Sequence, residues 1–205
     1  MNNSAPIRLN LPLSDDEVRA LHAGDTLLLS GTLITGRDAA HKWLYETFIQ
    51  QTSPADREDT LVENELQKVL KDGAIYHCGP VVSKQPDSSY EFMAAGPTTS
   101  IREEGCQAEI IHRYGVKAVI GKGGMGERTL RACEEAPAVY LHATGGAAVI
   151  MADCVKEVLG VFKLEFGIPE AMWLIRVEDM PLVVSMDSHG SSLHEKIRRA
   201  SQQLI

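Results

Sequence analysis

Short apolar, β-prone segments alternate with capped amphipathic segments from residue 100 onward, and this alternation restricts the possible folds more than any other feature. Such alternation is typical of a mixed or parallel sheet covered by helices. We therefore expect an α/β protein with a mixed sheet layer covered by helices. The predicted order is helix 100–114, strand 118–120, helix 127–135, strand 138–141, helix 147–158, strands 171–177 and 182–186, and helix 191–204.

The first half of the chain predicts two helices and a smaller β layer. Ser14 as N-cap, with Glu17 three residues later, begins a short helix that ends at Gly24. The polar, acidic segment 51–67 predicts a surface loop or an exposed helix. The remaining predicted elements are strand 26–30, helix 37–44, strand 74–78, a turn at 84–89 and strand 90–95.

The composition is that of an ordinary globular protein. The chain has 205 residues, 44% hydrophobic and 23% charged, which is enough to bury a core without disulfide or metal staples. We expect a single domain over 1–205, with an N-terminal helix in 1–24 and a C-terminal helix in 194–205 as extensions.

The charge balance argues against polyanionic partners. Twenty Lys and Arg against 28 Asp and Glu give a formal net charge of −8, which repels nucleic acid and anionic lipid. The first ten residues lack a secretory pattern, and the apolar run 137–152 is interrupted by His142, Thr144 and two glycines. We expect a cytoplasmic protein with no membrane segment.

Four cysteines are spread along the chain, and their spacing matches no metal-ligand pattern. We expect reduced, mostly buried thiols and no metal site in this chain. They are Cys78, Cys106, Cys133 and Cys154.

The segment GPTTSIR at 96–102 joins a predicted strand to a predicted helix. It gathers the hydroxyls of Thr98, Thr99 and Ser100 at a helix N-terminus, with the guanidinium of Arg102 nearby. A carboxylate or phosphate is bound by such donors, by the helix dipole and by a bidentate cation. The alternative is that Thr98 or Ser100 only caps the helix and Arg102 is solvated.

Two more cations follow predicted strands. Lys122 lies in the glycine-rich segment IGKGGMG at 120–126, which lacks the order of a P-loop or a dinucleotide turn. Arg37 lies between strand 26–30 and helix 37–44. The three cations Arg37, Arg102 and Lys122 would suit a dicarboxylate, although a tight loop with an exposed lysine explains Lys122 equally well.

Other polar groups carry weaker signals. Asp187, Ser188 and His189 have the residue types of a hydrolase triad, but neighbours in sequence cannot form that relay, so a turn is expected. His41 and His77 are expected to be structural, as lone histidines usually are.

Five ordered motifs resemble a known family. They are TGRDAAH, GPTTSIR, IGKGGMG, GGAAVIMA and the long segment FGIPEAMWLIRVEDMPLVVSMDSHGSSL. Together they resemble the β subunit, or C-terminal domain, of class I fumarases and L(+)-tartrate dehydratases, over about Asp25 to Leu193. The resemblance implies a swivelling β/β/α domain that moves as one body against a separate alpha subunit.

The resemblance also implies a function. The alpha subunit would hold a 4Fe-4S cluster, and the two chains, as an alpha2beta2-type assembly, would hydrate fumarate to malate or dehydrate L(+)-tartrate to oxaloacetate. Arg37, Thr98, Thr99, Arg102 and Lys122 match the family's substrate-contacting residues. Thr98 is the family's candidate base, acting with an acidic residue of the other subunit.

Two acids follow the anion motif. Glu103 and Glu104 come directly after Arg102, and we expect Glu103 to turn back to the helix N-cap and Glu104 to turn away.

Two other functions stay open for the protein. One is a non-catalytic module that binds a small carboxylate or docks on a protein, and the other is a purely structural domain.

Overall fold

The computed structural model describes residues 5–202, which are built around a seven-stranded sheet of mixed orientation. A separate two-stranded sheet is formed by β4 and β5. The strands are β1 (Ile7–Asn10), β2 (Thr26–Thr35), β3 (Ala74–Tyr76), β4 (Val81–Lys84), β5 (Tyr90–Ala94), β6 (Ala118–Gly121), β7 (Val139–His142), β8 (Val155–Phe162) and β9 (Met172–Met186).

The strand order of the large sheet is β1-β2-β3-β6-β7-β9-β8, and β9 also pairs with β2. Neighbours from β1 to β7 are parallel, whereas β9 is antiparallel to β7, β8 and β2. The extra β2–β9 pairing closes β2, β3, β6, β7 and β9 into a ring. The predicted mixed sheet covered by helices is confirmed.

Helices cover this sheet. They are α1 (Asp15–Arg19), α2 (Asp38–Leu44), α3 (Arg57–Leu70), α4 (Gln107–Tyr114), α5 (Glu127–Glu135), α6 (Ala148–Asp153) and α7 (Leu193–Gln202). Two buried clusters result, because side chains alternate along each strand. In β3, Ala74 and Tyr76 enter one cluster with Trp173, while Ile75 enters the other with Leu66.

Several predicted elements differ from the structure. The helix expected at 147–158 ends at Asp153, and β8 begins at Val155 because this segment pairs as a strand with β9. The two strands expected at 171–177 and 182–186 are one long strand, β9, which bends at Asp179 in the left-handed region. The sequence does not predict the edge strand β1 or the hairpin strand β4, and β2 continues to Thr35, past the expected end at residue 30.

The helix expected at 100–114 is also wrong in its first turns. A 3₁₀ turn spans Ser100–Glu103, and α4 begins only at Gln107. Ser100 does not cap a helix, because its buried hydroxyl bonds inward instead.

Among the remaining helices, α1 begins after its Ser14 cap, as expected, but it ends at Arg19 rather than at Gly24. Of the two alternatives for 51–67, the helix is confirmed in α3, which begins at Arg57 with Asp56 as N-cap. The closing helix expected at 191–204 is present as α7, and its last two expected residues lie outside the described residues. Within residues 5–202, no helix combines the length and apolarity needed to cross a bilayer.

Candidate anion-binding site

The candidate site lies where three neighbouring parallel strands end. Strands β2, β3 and β6 are adjacent and parallel, so their carboxyl ends meet at one edge of the sheet. Arg37 follows β2, His77 follows β3, and Lys122 follows β6. Ligands of α/β sheets usually bind at this edge.

The segment 97–100 inserts between the ends of β3 and β6. Thr98 N–H donates to the His77 carbonyl at 2.7 Å, and its own carbonyl accepts from Lys122 N–H at 3.2 Å. Ser100 N–H donates to the Lys122 carbonyl at 3.0 Å, and Thr99 pairs with Lys122 as an isolated parallel bridge. Thr98, Thr99 and Lys122 are therefore brought together by backbone hydrogen bonds rather than by flexible side chains.

Two guanidinium groups lie beside a shared carboxylate. Arg102 Nη2 is 3.1 Å from Asp38 Oδ2, and Arg37 Nη2 is 3.9 Å from the same oxygen. Arg37 Nε also lies 3.3 Å from Glu170 Oε1, and Glu170 accepts from Ala39 N–H at 3.0 Å. Arg37 and Arg102 thus converge, as the sequence predicts, but each already faces an acid of the same chain.

Gly79 makes room for Arg37. A Cβ atom at Gly79 would lie 2.3 Å from Nη1 of Arg37 and 2.9 Å from the carbonyl oxygen of Pro169. Any side chain at this position would therefore displace Arg37 or the loop before β9.

The two acids after Arg102 behave differently from each other. Glu104 turns away, as expected, and accepts from the N–H groups of Gly126, Arg128 and Thr129 and from the Thr129 hydroxyl, at 2.7 to 3.2 Å. It therefore caps the N-terminus of α5.

Glu103 does not reach back to the N-cap, and that expectation is wrong. Its carboxyl group is buried, with Oε2 at 4.0 Å from His41 Nδ1. Burial, and then Asp38 nearby, raise the pKa of Glu103 to about 8, so this acid is mostly neutral at pH 7. A proton held by Glu103, or shared between Glu103 and Asp38, reduces the negative charge that faces Arg37 and Arg102.

The site is an open surface. The side chain of Arg102 is 46% exposed and that of Arg37 is 22% exposed. Thr99 is exposed and Thr98 is partly exposed. A small acid bound here would keep one side in water unless another surface covered it.

Sequence reasoning missed several residues at this site. Asp38 stands next to Arg37 in the sequence, so its presence at the site could be inferred from the sequence. Glu170 is 131 residues away from its partner Ala39, and no local pattern points to it. His41 and His77 are buried, as expected of structural histidines. Asp187 accepts from the N–H groups of His189 and Ser191 in its own turn and from Ala23 N–H after α1.

The cysteines do not suit an iron–sulfur cluster. Cys78 and Cys154 belong to one buried cluster, and Cys106 and Cys133 belong to the other. Burial raises the pKa of all four thiols, which disfavours the thiolate that a metal requires. In the described part of the chain, no group of three or more His, Cys, Asp or Glu residues is placed to hold a metal ion.

The fold and the site together define a class: a mixed α/β domain that brings cationic and hydroxyl-bearing segments together on an open face. Comparison with known proteins then gives the family. The sequence profile described as Fumarase C-terminus matches residues 1–197, and the chain belongs to this family. The predicted resemblance is confirmed.

Named relatives agree with this assignment. The chain is 48% identical, over 97% of its length, to a putative fumarate hydratase class I of Geobacillus stearothermophilus, and it spans only 35% of that protein. It is 38% identical, over 90% of its length, to the L(+)-tartrate dehydratase subunit beta of Escherichia coli K12, covering 85% of that subunit. A putative subunit of the same name in Methanocaldococcus jannaschii is 38% identical over 91% of the chain and 90% of the relative.

Proposed function

We propose that this chain is the beta subunit of an iron–sulfur-dependent hydro-lyase. It contributes the dicarboxylate-binding side chains to an active site shared with an alpha subunit. The enzyme hydrates fumarate to malate, or dehydrates L(+)-tartrate to oxaloacetate, in the cytoplasm. The observation that carries this proposal is the convergence of Arg37, Arg102 and the Thr98–Lys122 segments at one open sheet edge.

The cations supply the binding and much of the catalysis. Arg37 and Arg102 each offer a planar fork of donors that matches a carboxylate, and Lys122 adds a compact positive charge. Loss of a proton from the carbon beside a carboxylate adds negative charge to the substrate. Donors fixed in advance around that carboxylate stabilise the added charge, and this lowers the barrier.

Thr98 is the proposed base. Its backbone is fixed on both sides, so the point from which its hydroxyl side chain projects is defined. A threonine hydroxyl is a poor base in water, because its ordinary pKa lies far above neutral. We propose that its hydrogen passes to an acidic residue of the alpha subunit as the oxygen takes the proton from the substrate carbon.

The cofactor belongs to the partner in this proposal. The four buried, dispersed cysteines do not fit a 4Fe-4S cluster, so we assign the cluster to the alpha subunit. The open face of the site is what a shared active site requires, since the second chain would cover the substrate. An alpha2beta2 assembly is the expected arrangement.

The test is reconstitution. The chain is co-purified with the candidate alpha subunit of the same source, the cluster is rebuilt anaerobically, and malate and L(+)-tartrate are assayed in parallel. We expect activity from the pair and none from either chain alone, and the ratio of rates names the substrate. Turnover by the iron-free chain alone, or no turnover of either acid by the loaded pair, would overturn the proposal. Carboxylate binding without turnover would favour a binding module.

A further inference from the structure

A hydrogen-bonded chain of buried polar side chains lies directly beneath the candidate site. At its centre is Gln107, the first residue of α4, which is fully buried. The end of the Gln107 carboxamide that faces the two rings lies 2.9 Å from His77 Nε2 and 3.0 Å from His41 Nε2, and its other end has no hydrogen-bond partner among the described residues. The two imidazole rings meet edge to face, with ring centroids 4.8 Å apart.

One arm of the network reaches the threonine and lysine segments. His77 Nδ1 lies 2.8 Å from Ser100 Oγ, which also accepts from the Tyr140 hydroxyl at 2.9 Å. Ser100 is also the residue whose N–H donates to the Lys122 carbonyl. The space for its hydroxyl exists only because residue 121 is glycine, since a Cβ there would lie 1.9 Å from Ser100 Oγ.

The other arm reaches the first arginine. His41 Nδ1 donates to the carbonyl oxygen of Arg37 at 3.0 Å. Burial lowers the pKa of His41, so the neutral ring carries no hydrogen on Nε2, which accepts a hydrogen bond from the NH2 group of Gln107. The position of His41 one turn into α2 therefore fixes the backbone from which the Arg37 side chain projects. Glu103, the residue after Arg102, lies 4.0 Å from His41 Nδ1.

This arrangement is not explained by packing alone. Burying a polar group that loses its hydrogen bonds costs about 1–3 kcal/mol, so an apolar core would be simpler at these positions. Ser100, His77 and Gln107 are linked in the way that the hydroxyl, imidazole and third group of a nucleophilic triad are linked. All three residues are fully buried, so no substrate can reach Ser100. The network does reach each of the three site segments: it contacts Arg37, it includes Ser100 between Thr98 and Arg102, and it meets Lys122 through the backbone N–H of Ser100.

We propose that Gln107 is a positioning residue: by joining His77–Ser100 to His41, it sets the spacing between the Arg37, Thr98–Arg102 and Lys122 segments. The effect on enzyme kinetics that this inference predicts rests on the proposed function. The effect on the structure that it predicts does not. Removing the amide leaves the two arms free to shift relative to each other, and misplacement of reacting groups by about 1 Å costs on the order of a hundredfold in rate.

The kinetic test uses Gln107→Met, which keeps the length of the side chain but removes its hydrogen bonds. In the reconstituted pair we expect kcat/KM to fall by about ten- to a hundredfold, with the loss divided between a higher KM and a lower kcat. The matched control is Tyr114→Phe. Tyr114 is buried at the other end of the same helix and loses one hydrogen bond, to Glu63. It should leave KM and kcat within about twofold.

Amide hydrogen exchange, measured on the full chain, tests whether Gln107 holds the site segments in place. This measurement needs no enzyme activity. Gln107→Met should speed exchange at the Thr98 and Ser100 amides at least about tenfold relative to Tyr114→Phe, because these N–H groups lie in the segment that the network holds. Ser100→Ala, which cuts the same arm at its end, should produce the same pattern. Unchanged exchange at both amides in both variants would overturn the proposal, as would normal kinetics of Gln107→Met in an active pair.

If the wild-type pair is inactive, the proposed function is rejected. Hydrogen exchange would still decide the role of Gln107, because it does not depend on activity.

Discussion

Asp38 occupies the position between two arginines that a substrate carboxylate would need to share. Its Oδ2 atom faces the guanidinium groups of both Arg37 and Arg102. The two arginines are held differently, because Arg37 also contacts Glu170, whereas Arg102 is nearly half exposed. Removing Arg102 therefore removes a binding group from the surface with little effect on the core.

Arg102→Ala tests this difference. In the reconstituted pair we expect turnover to fall by about a hundred- to a thousandfold, because a charged donor aimed at the developing negative charge is lost. The midpoint of thermal unfolding should stay within a few degrees, since the side chain lies at the surface. Arg176→Ala is the control: Arg176 is equally exposed, pairs with Glu157 on β8, and should leave turnover unchanged. Near-normal rates for Arg102→Ala would remove this residue from the site.

Lys122→Ala should act mainly on binding. Its ammonium adds one positive charge without the bidentate geometry of an arginine, so the interaction is similar in the ground state and the transition state. We expect KM to rise more than kcat falls. Steady-state kinetics at several substrate concentrations separate the two, and an unchanged KM would contradict the assignment.

Glu103→Gln tests the buried acid through pH. The raised pKa of Glu103 means that the folded chain holds a proton that the unfolded chain releases above its ordinary value of 4.5. The stabilisation is therefore complete below pH 4.5 and is lost as pH rises to about 8. Asp38, Arg102, Glu170 and His41 are the charged or titratable groups around it.

The measurement compares thermal unfolding of wild type and Glu103→Gln at pH 5 and pH 8. An amide does not titrate, so the variant should gain stability relative to wild type at pH 8. The difference between the two proteins at pH 5 should be smaller. An equal difference at both pH values would show that Glu103 ionises normally.

Among the elements, the segment between β5 and α4 makes most of the site. It is fixed on one side by the ends of β3 and β6, and on the other by Glu104, whose carboxylate caps α5. The helix that follows the Lys122 loop is therefore attached to the segment after Arg102 through the Glu104 carboxylate, and also through Arg128, which donates to the Gly105 carbonyl at 3.2 Å. This connection makes α5 part of the support of the site.

Glu104→Ala should loosen both elements. Loss of a helix cap costs about 1–2 kcal/mol, and the Thr129 hydroxyl also loses its acceptor. Urea unfolding should show that decrease in the free energy of unfolding. Glu127→Ala is the control, because Glu127 is an exposed acid in the first turn of the same helix and pairs with the exposed Arg131. A change no larger than a few tenths of a kcal/mol in Glu104→Ala would contradict the capping role.

The sequence predicts those elements whose signals are local. The α5 and β7 segments follow their expected periodicity, and the glycine-rich turn before α5 was found from its composition. β8 was missed because residues 147–158 are apolar enough to continue a helix, and only pairing with β9 makes the second half a strand. Ser100 looks like a cap in sequence, yet its hydroxyl bonds to His77 and Tyr140, which no local pattern reveals.

At the scale of the whole molecule, β9 holds in place the strands whose ends carry the candidate site. By pairing with both β2 and β7 it closes the strand ring, so the ends of β2, β3 and β6 are held from both directions. The two acids that face the arginines, Asp38 and Glu170, lie far apart in the sequence. The net charge of −8 thus coexists with two guanidinium groups that converge at this edge, and these supply the local positive charge that the proposed substrate requires.

The same architecture predicts that the chain folds without metal. Its core is made by two apolar clusters, and its thiols are buried, separated between those clusters and held protonated by burial. Treatment of the purified chain with a chelator should therefore leave its thermal unfolding midpoint unchanged, and thiol titration after unfolding should find all four cysteines reduced. The same treatment of the reconstituted pair should abolish turnover of malate or L(+)-tartrate, because the cluster is assigned to the alpha subunit. Stoichiometric iron in the chain alone, or a chelator-induced drop in its unfolding midpoint, would place the cluster here instead.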